Sequence, residues 1–158
     1  MRLVTVRADG HEIKVGNEVV LFRHEKTFYN RPGLFVRVRD DEPIEAIKAR
    51  LAPADQFAVN YVGIDLSLDG FAIESVQDDP TVFASAIRAV REVSKRPLIL
   101  ISRDPKIIAA GLLAIDGEAP LIYAAAESNW EAMADLAKQH KTALAVVAES
   151  LDRLAELT

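Results

Sequence analysis

The spacing of hydrophobic positions changes near residue 34 and divides the chain into two parts. In the first part, branched residues at 3–8 and 11–15 flank Asp9-Gly10, a dipeptide suited to a type I′ turn, so the pattern predicts a β-hairpin. Residues 18–22 have the composition of a further strand. We therefore expect residues 1–33 to form an N-terminal hairpin followed by a charged and aromatic loop.

From Leu34 onward, short apolar runs alternate with segments of helical period, which is typical of βα units. Two runs between α-helical segments, 57–64 and 71–76, are both strand-like, and the pattern leaves open which one is the core strand. The remaining predicted strands are 34–38, 97–102, 120–125 and 143–148.

The predicted helices begin at recognisable start signals. Asp79-Pro80 and Asp104-Pro105 each place a capping aspartate before a first-turn proline, and Pro43 stands as a first helical residue behind an acidic cluster. Ser128 with Glu131 forms a capping box, and Ser150 opens the last helix. The predicted apolar faces are Ile44, Ile47 and Leu51; Phe83, Ala86, Ile87 and Val90; Ile108, Gly111, Leu112 and Ile115; Trp130, Met133, Ala134 and Ala137; and Leu151, Leu154 and Leu157.

Residues 34–158 thus contain about five βα units, which predicts an α/β fold with a parallel sheet and right-handed crossovers. Similar successive units favour a barrel-like progression over a doubly wound sheet, whose strand order must reverse. Because a closed (β/α)8 barrel typically needs about 250 residues, we expect a partial TIM-barrel-like repeat behind the N-terminal hairpin.

The composition excludes several kinds of site and partner for this chain. The 158 residues include no cysteine, which excludes disulfides, cysteine nucleophiles and cysteine-ligated zinc or iron-sulfur sites on this chain. With 19 basic and 24 acidic residues interspersed, the sequence has no nucleic-acid footprint. The longest apolar stretch, 107–115, is too short for a membrane span, and the early charges do not suit a secretion signal, so we expect a cytoplasmic protein.

Common catalytic and nucleotide motifs are missing from the sequence. It has neither Gly-x-Gly nor a P-loop nor a Gly-x-Ser-x-Gly elbow, and His24-Glu25 lacks a second histidine one helical turn later. We therefore predict no catalytic, cofactor-binding or metal-binding residue. Asp79 and Asp104 are explained as helix caps, although an aspartate at the end of a barrel strand is a position for catalysis, and Ser102 and Arg103 share that position.

The segment 23–30 is the best candidate for an interaction site. It offers charge and aromatic surface without an evident helix or strand pattern, and the candidate residues are Arg23, His24, Glu25, Lys26, Phe28 and Tyr29. The alternative is a solvated connection in which the two aromatic side chains plug the hairpin. Two other functions stay open: a small independent enzyme with His24 as general base, or a metabolite-binding module.

Three runs carry a resemblance to a known family. They are 21–30, 97–105 and 120–130, the first containing Arg-His-Glu-Lys-Thr-Phe. In this order they resemble the barrel domain of the corrinoid iron-sulfur protein large subunit, also known as the gamma subunit of the acetyl-CoA decarbonylase/synthase complex. The resemblance implies a TIM-barrel lineage and a place in a methyl carrier that serves one-carbon metabolism.

In that family, a four-cysteine cluster module precedes the barrel and a corrinoid-binding domain follows it. This sequence has no cysteine and about five βα units, so corrinoid and iron-sulfur cluster are implied only for domains outside it. The family role that the resemblance still implies for this chain is that of a scaffold, which contacts the corrinoid-protein small subunit and the methyltransferase. Self-association is another way to cover the edges of a partial sheet, and we expect neither nucleic-acid nor membrane partners.

Overall fold

The computed structural model describes residues 3–17 and 30–158. The predicted strand at 18–22 and the candidate residues between 23 and 29 lie outside this range. In chain order, the elements are β1 (Val4–Ala8), β2 (His11–Val15), β3 (Phe35–Arg39), α1 (Ile44–Gln56), β4 (Ala58–Tyr61), β5 (Ile64–Ser67), β6 (Gly70–Glu74), α2 (Pro80–Val93), β7 (Leu98–Ile101), α3 (Pro105–Ala114), β8 (Leu121–Ala125), α4 (Trp130–Gln139), β9 (Ala143–Val146) and α5 (Leu151–Leu157).

The predicted N-terminal hairpin is confirmed. Strands β1 and β2 pair antiparallel around Asp9 and Gly10, whose φ angles are 37° and 84°. Positive φ at both central residues is what a type I′ turn requires. Arg7 exchanges two backbone hydrogen bonds with Ala119, which precedes β8, so the hairpin lies against the amino-terminal edge of the main sheet.

The main sheet has five parallel strands in the order β3-β6-β7-β8-β9. Each of these strands is followed by a helix, which confirms the α/β class and the predicted number of βα units. Neighbouring strands follow each other along the chain once the β4-β5 hairpin is set aside. The sheet therefore has no reversal of strand order in the described residues, unlike a doubly wound sheet.

One face of this sheet carries the core. Val38, Ile73, Leu100, Ile122 and Leu144 are neighbours in successive strands, and the first four are fully buried. The buried side chains of α1 to α4 join the same core cluster, so these four helices cover this face. Because side chains alternate along a strand, the intervening positions point to the other side of the sheet.

That other face is much less covered. Its row across the sheet is Arg39, Glu74, Ile101 and Tyr123, in which Arg39 is exposed and Tyr123 is 46% exposed. The large buried side chains of the described helices belong to the core on the opposite side. In the described residues, a layer of helices thus covers only one face of the sheet.

Residues 57–67 resolve the ambiguity that the sequence left. The core strand is β6, whereas the earlier run forms β4, which pairs with β5 in an antiparallel hairpin of its own. The second strand of this hairpin, Ile64–Ser67, begins at the end of the predicted run 57–64 and extends beyond it. Both strands of this hairpin are exposed along almost their whole length.

Three local predictions are also corrected. Pro43 caps α1 with an extended ψ of 136° and is not its first helical residue, and Ile44 is partly exposed. The helix α4 begins at Trp130, so its N-cap is Asn129 and not Ser128, and the Asn129 side chain is hydrogen-bonded to the preceding loop instead of to the helix. The helix α5 is capped by Ser150 as predicted, but it buries none of its residues.

None of the helices within residues 3–17 and 30–158 combines the length and the apolar character needed to cross a membrane.

Candidate functional site

The carboxyl ends of the parallel strands gather the polar side chains of the main sheet. Backbone pairing continues one residue past each strand: Asp40 donates to Glu74 at 3.0 Å, Ser75 to Ile101 at 2.9 Å, and Ser102 to Tyr123 at 2.9 Å. The loops that follow therefore start at the same level. In open and closed parallel sheets alike, this edge is where ligands are usually bound.

Asp40 fixes the loop that follows β6. The residue is 4% exposed, and its carboxylate accepts hydrogen bonds from the Ser75 hydroxyl at 3.1 Å and from the N–H groups of Val76 and Gln77 at 2.8 and 3.2 Å. Asp40 belongs to the acidic cluster that precedes α1 in the sequence, but its side chain bonds to the loop after β6 and not to the start of that helix.

Glu42 has a different role in the same cluster. Its carboxylate accepts from the N–H of Arg39 at 3.0 Å and from the guanidinium of Arg50 at 2.9 Å. Partial burial opposes ionisation, but the Arg39 hydrogen bond and the Arg50 guanidinium outweigh it and lower the pKa of Glu42 below its usual 4.5. Glu42 thus ties the end of β3 to α1 as an anion.

A cleft of about 400 Å³ opens beside these loops, on the sheet face opposite the helices. Such a volume is at the lower end of the range for small-molecule sites, roughly 300–1,000 Å³. The residues that line it are Glu74, Ser75, Asp78, Ile101, Ser102, Arg103, Tyr123, Ala124, Ala126 and Val147.

The polar side chains of this cleft differ in whether they already form a hydrogen bond or an ion pair within the chain. Glu74 lies 3.5 Å from the guanidinium of Arg37, and Ser102 is buried with its hydroxyl oxygen accepting from the N–H of Asp104 at 3.1 Å. Arg103 makes no ion pair with any residue in the described ranges. The arrangement provides a cation and a phenol that can bind a polar or anionic group.

Nucleophilic catalysis finds little support in this geometry. The Ser75 hydroxyl donates to one oxygen of Asp40, and the other oxygen accepts from two backbone N–H groups, so all three bonds hold the loop after β6. No histidine lines the cleft. Among the described residues there is also no group of three histidine, cysteine, aspartate or glutamate side chains that could hold a metal ion.

Asn129 hydrogen-bonds to two residues that line the cleft, Ala126 and Arg103. Its side-chain oxygen accepts from the N–H of Ala126 at 2.6 Å, and its side-chain nitrogen donates to the carbonyl of Arg103 at 2.8 Å. These bonds connect the loops after β7 and β8. Arg103 is therefore held on a backbone that is fixed from a neighbouring loop.

The residues singled out from the sequence have different roles in the structure. Asp79 accepts from the N–H groups of Thr81 and Val82, and Asp104 accepts from that of Lys106, so the capping role of both aspartates is confirmed. Ser102 and Arg103 line the cleft. The candidate interaction residues, all between 23 and 29, lie outside the described range, and their role stays a prediction.

No sequence motif pointed to Glu74, Tyr123 or Asn129 as residues of a site. Glu74 and Tyr123 belong to one row of side chains that only the strand register brings together. The available signal was their position at strand ends that the pattern did predict, combined with the alternation of side chains along each strand.

Comparisons with known proteins show which family the chain resembles. Residues 3–158 match the family described as CO dehydrogenase/acetyl-CoA synthase delta subunit. Acetyl-CoA decarbonylase/synthase complex subunit gamma 2 of Methanosarcina thermophila is 38% identical over 158 residues, which is 99% of this chain and 34% of that protein. The corrinoid/iron-sulfur protein large subunit of Moorella thermoacetica is 33% identical over 154 residues, which is 98% of this chain and 34% of that protein.

A third relative, subunit gamma of the acetyl-CoA decarbonylase/synthase complex of Archaeoglobus fulgidus, is 35% identical over 151 residues and is covered to 32% of its length. The chain thus spans about a third of the length of the curated relatives that it matches. The resemblance drawn from runs 21–30, 97–105 and 120–130 is confirmed. This chain belongs to the CO dehydrogenase/acetyl-CoA synthase delta subunit family.

Proposed function

We propose that this α/β unit is the barrel-type scaffold of a corrinoid iron-sulfur methyl carrier in the acetyl-CoA pathway, and that it works through contacts with other subunits. The observation that carries the proposal is the family match, which covers residues 3–158 and includes relatives named as subunits of the acetyl-CoA decarbonylase/synthase complex.

The one-sided sheet supports the barrel lineage. Its strands follow chain order, and four helices cover one face while the row from Arg39 to Tyr123 is left on the other. In an eight-stranded barrel the helices form an outer ring and the second face of the sheet lies inside. On this proposal, further βα units pair with β3 and β9 and enclose the row from Arg39 to Tyr123.

We propose that neither the corrinoid nor the iron-sulfur cluster is held by this chain. The family's clusters need cysteine thiolates, and the sequence contains none. The cleft at the carboxyl ends, about 400 Å³ in volume, is small for a corrin macrocycle. The scaffold would instead position the methyl-carrying domain, and its partners would be the corrinoid-protein small subunit and the methyltransferase.

A calorimetric titration tests this proposal. The purified chain, shown to be folded by circular dichroism, is titrated with the corrinoid-protein small subunit and separately with a cobalamin. We expect a saturable complex with the small subunit and no stoichiometric uptake of cobalamin. A folded chain that does not bind the small subunit contradicts the scaffold role, and stoichiometric cobalamin binding contradicts the assignment of the cofactor to other domains.

A second candidate function, a metabolite-binding module, is favoured by the cleft around Arg103. Its guanidinium and the Tyr123 hydroxyl can hold an anionic metabolite. A thermal-shift survey across small carboxylates and phosphates tests this reading. A stabilising ligand whose effect disappears in Arg103→Ala supports it, whereas an unchanged melting temperature with every ligand removes it.

A further inference from the structure

The cleft at the carboxyl edge of the sheet contains a buried hydrogen-bond donor that has no acceptor. The hydroxyl oxygen of Ser102 accepts from the N–H of Asp104, but the Ser102 hydroxyl proton meets no acceptor within residues 3–17 and 30–158. Ser102 is only 8% exposed, and a hydroxyl so buried is normally satisfied by a protein group, a water molecule or a ligand. Because Ser102 lines the cleft, we expect its acceptor to lie there.

Two further donors line the cleft beside Ser102. Arg103 is exposed, and its guanidinium forms no ion pair or hydrogen bond with a residue that the structure describes. Tyr123, on the neighbouring strand, is 46% exposed, and its hydroxyl is likewise without a partner in that part of the chain. Asn129 donates to the carbonyl of Arg103 at 2.8 Å, which fixes the backbone that carries the guanidinium. The β7–β8 side of the cleft therefore offers three donors, one of them a cation, which suits a carboxylate.

The β6 side of the same cleft is acidic. Glu74 ends β6, and Asp78 lies in the loop that follows it. Neither carboxylate accepts a hydrogen bond from residues 3–17 or 30–158. Glu74 has an ion-pair partner in Arg37, but the 3.5 Å separation is long and the Arg37 side chain is 65% exposed. Because so exposed a pair contributes little to stability, Glu74 can accept hydrogen bonds from a ligand instead.

The strand register sets the distance between the acidic side and the donor side. Glu74 is aligned with Ile101, and Ile101 is aligned with Tyr123. Two strand spacings, roughly 10 Å in all, therefore separate the backbones of Glu74 and Tyr123. Ile101 lies between them, and its partly exposed side chain lines the cleft. The cleft thus has an acceptor end and a donor end on either side of a short apolar stretch.

We infer that the cleft binds a small zwitterion, in which a short methylene chain separates a carboxylate from a primary ammonium group. The carboxylate accepts from Ser102, Arg103 and Tyr123, and the ammonium group donates to Glu74 on the side that Asp78 also lines. An ammonium group brings the three donors that the acidic side lacks, and a carboxylate brings the acceptors that the other side lacks. This ligand class rests on the metabolite-binding candidate function described above and specifies what that site recognises.

A simple anion fits the cleft less well than a zwitterion does. The carboxylates of Glu74 and Asp78 share the cleft with Arg103, so a dicarboxylate or a phosphate that fills it brings negative charge towards them. A monocarboxylate avoids this repulsion but leaves the acidic side without donors. The volume of about 400 Å³ is at the lower end of the range for small-molecule sites, which suits a ligand of a few carbon atoms.

Amide chemical shifts of the isotopically labelled full chain measure binding and its location. The probes are glycine, β-alanine, γ-aminobutyrate and δ-aminovalerate, each compared with the carboxylate of equal length that lacks the amine. We expect saturable shifts at 102–103 and 123–126, and one of the longer amino acids should bind at least about fivefold more tightly than its matching carboxylate, since it gains a charge-assisted hydrogen bond. Equal affinities within every pair overturn the zwitterion and leave the metabolite-binding candidate standing. No saturable shift with any probe overturns both.

Two variants assign the two ends of the ligand. Glu74→Gln keeps the size of the side chain and removes its charge, so it should abolish the preference for the amino acid while the matching carboxylate still binds. Arg103→Ala should weaken both ligands by about tenfold or more. The matched controls are Glu131→Gln and Arg88→Ala, which remove the same charges from exposed helix positions outside the cleft. A preference that persists in Glu74→Gln, or equal losses in a variant and its control, contradicts the inference.

Discussion

The backbone N–H of Val76 donates a 2.8 Å hydrogen bond to the buried carboxylate of Asp40, which joins the loop after β6 to the end of β3. The two residues are 36 positions apart in the chain. Asp40 therefore holds together two of the loops at the carboxyl edge of the sheet.

Removing this carboxylate should be costly. Asp40→Ala leaves Ser75, Val76 and Gln77 without their shared acceptor, and we expect a loss of about 2–4 kcal/mol in the free energy of unfolding. Urea denaturation measures it. The control is Asp41→Ala, which removes a half-exposed ion pair with Arg39 and should cost less than about 1 kcal/mol. Equal losses in the two variants would contradict the role of Asp40.

Glu42 predicts a dependence of stability on pH. Because its pKa is lowered in the folded chain from the usual 4.5, its contribution is complete above that value and is lost as the pH falls through the lowered pKa. Glu42→Gln should therefore destabilise the chain near neutral pH and have a smaller effect in acid. Chemical denaturation at several pH values between neutrality and the acid range measures this difference. A Glu42→Gln effect that is independent of pH would contradict it.

Replacing Gly70 by any larger residue is predicted to destabilise the fold for steric reasons. A Cβ atom added there overlaps the carbonyl oxygen of Pro97, which is backbone and cannot rotate away. At Gly111 the obstacles are the side chains of Phe83 and Ile87, which can shift, and alanine gains up to about 1 kcal/mol of helix propensity.

We expect Gly70→Ala to cost about 1–3 kcal/mol in the free energy of unfolding, and more than Gly111→Ala. Thermal or urea unfolding of the two variants under the same conditions provides the comparison. The reverse order of the two losses would show that the start of β6 at Gly70 yields more easily than the helix packing at Gly111.

The charged segment before residue 30 is predicted to contribute to binding of the corrinoid-protein small subunit. If Arg23 and Lys26 contact a partner subunit, the double variant Arg23→Ala/Lys26→Ala should weaken binding to the corrinoid-protein small subunit by about tenfold. The control is Arg88→Ala, since Arg88 is exposed on α2. Calorimetry measures both affinities. Equal affinities for the double variant and the wild type would make the segment a solvated connection.

The strands and helix starts were predictable where their signals are local. Asp79 and Asp104 cap the helices that directly follow them, so the sequence pattern contains everything that decides their role. The run at Leu98–Ile101 is apolar enough to be recognised as a buried strand. Such features depend on neighbours within a few residues.

Other features depend on residues far apart in the chain and were not predictable. The role of Asp40 depends on Ser75, 35 positions later, and the cleft depends on the register that aligns Glu74 with Tyr123 through Ile101. The alternation of Val59, Tyr61, Ile64 and Leu66 fits a hairpin as well as a core strand. Only the packing of β6 between β3 and β7 decides which run enters the sheet.

The most direct test of the scaffold function is hydrogen exchange of this chain with and without a saturating corrinoid-protein small subunit. Our account predicts slower exchange of backbone amides in the presence of that subunit, concentrated in residues 23–29. Exchange that is the same at every amide with and without the small subunit would contradict it.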